Sequence, residues 1–164
     1  MHRLSQVQDG LIAALAVLGA IATLLLMLHV GVDIVMRNIW NSPIPATWEI
    51  VTHYYMVALA FIPLAWVEKT GGMVQVEVIN GMLSPRVMRV SDILVALIAV
   101  VIYATLAYVT YKAAMSRMSV SAFVMANQVR VVIWPAYWLP PLGFGLAAVS
   151  VALRGLRLMI GAKA

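Results

Sequence analysis

Residues 11–32 read LIAALAVLGAIATLLLMLHVGV, an uninterrupted run without Asp, Glu, Lys or Arg. As a helix rising ~1.5 Å per residue, 22 residues reach ~33 Å, which matches the ~30 Å hydrocarbon core of a bilayer. Working outward from it, three more such blocks follow, Ile50 to Val67, Ile93 to Tyr111 and Val131 to Leu153. The pattern predicts an all-α integral membrane protein with four transmembrane helices, approximately 11–32, 50–67, 93–111 and 131–153, in a single domain covering residues 1–164.

Composition agrees. Of 164 residues 64% are hydrophobic, mean hydropathy is +0.99, and charged residues make up 10%, against the ~25% usual in soluble domains. Four such blocks leave too little polar surface to coat a globule. The net charge of +5 has no basic stripe interleaved with aromatics, so nucleic acid is not an expected partner and the charge reads as membrane orientation. With no cysteine, disulfides, thiolate metal sites and thiol redox chemistry are excluded. The first block exceeds the ~7–15 residues of a signal core and no small-x-small cleavage site follows it, so it is expected to stay in the membrane. Before it, Leu4, Val7 and Leu11 suggest a short amphipathic turn or a frayed end.

Seven of the 11 Lys and Arg residues fall in the N-terminus, the second loop and the C-terminus, and four in the first and third loops. By the positive-inside rule both termini are expected in the cytoplasm. Trp40, Trp48, Trp66, Trp134 and Trp138 lie at or near block ends, where an amphipathic ring prefers the interface. The second loop, EKTGGMVQVEVINGMLSPR (68–86), is the longest polar interruption. In it Gly71 and Gly72 free the backbone to turn, Val74, Val76 and Val78 alternate with other residues as in an extended segment, and Pro85 suits the first turn of the next helix.

Candidate chemistry is sparse. Asp33 and Arg37 share a helix face at i,i+4, with Glu49 starting the second helix at the same level; these read as interfacial charge or as a partner contact. His29 and His53 are the histidines inside spanning blocks, and two facing imidazoles can ligate one b-type haem, which keeps open a membrane electron carrier. No Asp, Glu, Lys or Arg lies deep inside a block, whereas ion-coupled carriers usually need an intramembrane charge or a broken helix. Pro63, Pro135, Pro140 and Pro141 are expected to kink the second and fourth helices for packing. Gly19 with Thr23, and Gly143 with Ala147, form small-xxx-small pairs that permit close helix approach. The tyrosines of the third helix, Tyr103, Tyr108 and Tyr111, read as packing and interface residues rather than a cofactor box. No cofactor and no catalytic residue is expected.

Four motifs in order resemble the small membrane subunit of tripartite ATP-independent periplasmic (TRAP) transporters, the DctQ-like family: RNIWNSPIPATWEI from Arg37, EKTGGMVQVEVI from Glu68, LSPRVMR from Leu83 and WPAYWLPPLGFGL from Trp134. The likeness spans nearly the whole chain. It implies a non-catalytic subunit in a bacterial or archaeal inner membrane, whose partners are a large multi-span subunit and a periplasmic substrate-binding protein. It further implies sodium-coupled uptake of small organic acids, with the small subunit bracing the large subunit's scaffold, surrounded by membrane lipid. Carried over by position, Arg37, Pro45 and Glu49 match the first motif, Gly71, Gly72 and Glu77 the second, and Pro141 and Gly143 the last. Met73 and Gln75 replace the family's usual His and Arg, and Glu77 its usual Asp. An accessory subunit of another membrane complex is the remaining alternative.

Overall fold

A computed structural model describes residues 2–69, 85–126 and 128–160. Helix α1 (His2–Trp40) is followed by a second span in pieces: α2 (Thr47–Ile50), a π-helical turn (Val51–Tyr55), α3 (Met56–Phe61) and α4 (Leu64–Lys69). Then come α5 (Pro85–Ser119), an antiparallel ribbon of β1 (Phe123–Ala126) and β2 (Val129–Val132), a 3-10 turn (Trp134–Trp138), and α6 (Leu139–Ile160). Among the described residues four stretches are long and apolar enough to cross a membrane, Ala13–Trp40, Thr47–Glu68, Val87–Ser119 and Trp134–Leu156.

The spans follow from the apolar blocks, but their ends differ from the sequence reading. With 39 and 35 residues, α1 and α5 extend to ~58 Å and ~52 Å and overrun the bilayer core. The segment before Leu11 is continuous with α1 rather than a separate surface turn. Pro85 is the first residue of α5, where a missing N–H leaves no intrahelical bond unmade.

The fourth block departs most. Val131 and Val132 belong to β2, so the helix begins at Leu139 rather than at Val131. Consequently Pro135 opens the 3-10 turn, and Pro140 and Pro141 occupy the first turn of α6. Helix N-termini have unbonded N–H groups in any case, so these three prolines start helices instead of kinking one. Only Pro63 acts as a breaker, separating α3 from α4.

Helix α6 is the hub. It makes its largest contact with α5 and also packs against α3 and α4, while α1 lies against the second span. Gly143, Ala147, Val151 and Gly155 are buried along one stripe of α6 at four-residue spacing. A Cβ at Gly143 would stand 2.6 Å from the Phe61 carbonyl oxygen, so the two backbones touch where a side chain would lie. That contact lets Phe144 meet Phe61 edge-on with centroids 5.2 Å apart, and Tyr103 of α5 lies 6.3 Å away on the same ring. The Gly19–Thr23 pair behaves differently. Nothing stands within 4 Å of a Cβ built on Gly19, the Thr23 hydroxyl donates to the Gly19 carbonyl at 2.9 Å, and both residues line an open cleft against Leu59, Pro63 and Trp66.

Gly143→Val is therefore expected to lower the unfolding midpoint in detergent by the equivalent of about 1–3 kcal/mol, the usual range for overpacking. Gly145→Ala, with open space around its Cβ, should leave the midpoint nearly unchanged. Equal midpoints for the two variants would show that the α3–α6 contact is not tight.

Candidate functional site: polar clasps at both ends of the second span

At one end of the second span, Asp33 organises the turn out of α1. Its Oδ2 accepts from Arg37 Nη2 at 3.1 Å, and its Oδ1 accepts the Ile44 backbone N–H at 2.8 Å. The Thr47 hydroxyl lies 3.2 Å from that same Oδ1 and 3.1 Å from the Ile44 carbonyl, two acceptors for one proton. The loop between is compact: Asn41 and Ala46 adopt positive φ of 50° and 64°, and Ala46 is buried. Asp33 is buried whereas the Arg37 side chain is 64% exposed, so the carboxylate holds the loop and the guanidinium reaches outward. The i,i+4 spacing revealed this pair. Nothing local announced that the carboxylate would also bind the chain 11 residues on.

Glu49 stands in the first turn of α2, where an acid complements the helix dipole. It takes no part in the Asp33–Arg37 pair. Pro45 is exposed beside the buried Ala46. Trp40 and Trp48 flank this loop and are both exposed, as expected of interfacial rings.

At the opposite end, Glu68 joins three spans. Its Oε2 accepts from the Tyr103 hydroxyl of α5 at 3.2 Å, and its Oε1 lies 3.7 Å from Arg154 Nη2 of α6. The Glu68 side chain is 5% exposed and that of Arg154 33%. The sequence reading placed Glu68 at the start of the polar loop and Tyr103 among packing residues; the structure makes them partners between helices. A lone acid closing one block and an arginine just past the end of another were the available signals, but contacts across 35 residues leave no spacing pattern.

The His29 ring meets Tyr55 edge-on at 5.8 Å, in the π-helical turn that also carries His53, and its Nε2 is buried without a hydrogen-bond partner among the described residues. Gly71, Gly72 and Glu77 lie outside the described residues. Pro141 is half-buried in the first turn of α6, and Gly143 forms the backbone contact with Phe61. Chemically, both clasps spend their carboxylates on bonds within the chain.

A family model described as "Tripartite ATP-independent periplasmic transporters, DctQ component" matches residues 26–160. Among curated proteins none matches the chain.

If Glu68 ties the spans, Arg154→Ala, which leaves a buried carboxylate short of its counter-charge, should destabilise the bundle by about 1–3 kcal/mol. Removing the charge at the same time, in Glu68→Gln/Arg154→Ala, should recover part of that loss. Thermal unfolding of the single and double variants measures the coupling, and strict additivity would mean that the pair is not an interaction.

Proposed function

This chain belongs to the DctQ family, the small component of TRAP transporters, and from that premise we propose that it is a non-catalytic brace for the large, multi-span transporter subunit. One observation carries the reading. Among the described residues, the carboxylates that the spans bury, Asp33 and Glu68, are tied to Arg37, Ile44, Tyr103 and Arg154 of the same chain. Meanwhile the outward faces of α1 and α5 are broadly exposed and apolar, from Val17 to Ile39 and from Val87 to Met118. Such faces suit contact with lipid and with the spans of a larger neighbour, where close packing of helix surfaces drives association.

In this reading the large subunit moves the solute, a small organic acid coupled to sodium, and a periplasmic binding protein delivers it. The small chain adds rigid width in the membrane, and its Asp33 end, with Arg37, Pro45 and Glu49, helps dock the binding protein. Both termini lie in the cytoplasm, which puts the Glu68 end and the 70–84 loop there too. On that side, the stretch with Gly71 and Gly72 is proposed to contact the large subunit. A haem-bearing electron carrier using His29 and His53 is not favoured: the family is a transporter component, and the His29 ring is set against Tyr55.

Expressed with its partner subunits and purified in mild detergent, the chain is expected to bring down one much larger multi-span protein. Replacing Gly71 and Gly72 together by Val should reduce that recovery and solute uptake. Recovery of the chain alone from intact membranes would count against the brace.

A further inference from the structure

The ribbon β1–β2 connects two spans, and its two faces differ. The third span ends at Ser119 and the fourth begins at Trp134, so the ribbon lies on the side of the membrane where these two spans meet. The seven residues from Val120 to Ala126, rising at most ~3.3 Å each, cannot carry it more than about 23 Å beyond Ser119. Phe123 pairs with Val132 and Met125 with Arg130, which puts these four side chains on one face; Val124, Val131, Ala126 and Val129 take the other.

The second face turns inward for most of its length. Ala126 is buried, Val124 and Val131 are half-buried, and the flanking Ala122 and Ile133 are buried. Tyr54 of the second span donates its hydroxyl to the Val132 carbonyl and pins the ribbon. The first face is open, with Phe123, Val132 and, at 58%, Met125 all exposed.

Arg130 belongs to that open face, and two more cations, Lys112 and Arg117, stand in the last two turns of α5; each of the three is laid across an aromatic ring. Arg130 sits 4.0 Å from the Phe123 centroid, Lys112 4.7 Å from Tyr108, and Arg117 5.5 Å from Tyr137. No Asp or Glu occurs between residues 112 and 138. A two-stranded ribbon is marginal in water even without an exposed apolar face. At the edge of a bilayer the same face is half-solvated by acyl chains, and the heads of exposed cations meet lipid phosphates. On the orientation proposed above, the charge is also of the wrong sign for this side of the membrane, so it needs a local reason.

We propose that the outer face of this ribbon, together with Lys112, Arg117 and Arg130, lies in the headgroup layer and binds anionic phospholipid, anchoring that end of the subunit. A cation and exposed apolar side chains on one face of a ribbon that joins two spans and is pinned to a third by Tyr54 favour lipid over an aqueous partner. This inference does not depend on which helix faces the large subunit.

The absence of cysteine makes a direct test clean. Met125→Cys, spin-labelled in the transporter assembled with its partner subunits, is reconstituted in zwitterionic vesicles with or without phosphatidylglycerol. Oxygen, concentrated in the bilayer, should relax the label more than an aqueous nickel chelate does, and phosphatidylglycerol should increase that preference. Arg130→Gln in the same background should reduce the response to phosphatidylglycerol. Dominant relaxation by nickel would put the ribbon in water, and exclusion of both reagents would mean that a protein covers it. Either result, or a lipid response unaltered by Arg130→Gln, overturns the proposal.

Discussion

The arrangement of the bundle rests on the contact between the Gly143 backbone and the Phe61 carbonyl. Lipid tails are as apolar as the helices they surround, so burial from water does not gather the spans; close surface fit and interhelical polar bonds must. A stripe of Gly143, Ala147, Val151 and Gly155 supplies the fit and makes α6 the element on which α3, α4 and α5 converge. Pro63 cooperates by ending α3 just beyond Phe61, so that the second span redirects as it passes the hub.

Given that packing, the polar clasps have defined tasks. Asp33 fixes the turn from α1 into the second span, which otherwise holds α1 only by light contact and an open cleft. Glu68 fastens the far end of the second span to α5 and α6 through Tyr103 and Arg154. The second span is thus clamped at both ends and kinked between, while α1 and α5 keep long apolar flanks. The two buried acids, Asp33 and Glu68, are committed to bonds within the chain, and on that the proposed supporting role rests.

The four spans were legible because each block of 18 to 23 uncharged residues admits few structures other than a membrane helix. Asp33 with Arg37 was legible because helical spacing alone brings them together. The ribbon was not: Val131 and Val132 run directly into the apolar fourth block, so a strand's end reads as a helix's beginning, and four-residue strands are too short to establish an alternation. That misreading also moved the prolines from helix starts to a helix interior. Tyr103, Glu68 and Arg154 were hidden for a different reason, since only the folded bundle brings distant positions of three helices to one point.

The central claim is that this polypeptide supports transport without conducting it. Reconstituting it into liposomes with and without the large subunit and the binding protein, then following uptake of a labelled organic acid under a sodium gradient, tests this most directly. Uptake is predicted only from the complete assembly. Accumulation in vesicles that hold this chain alone would contradict the account.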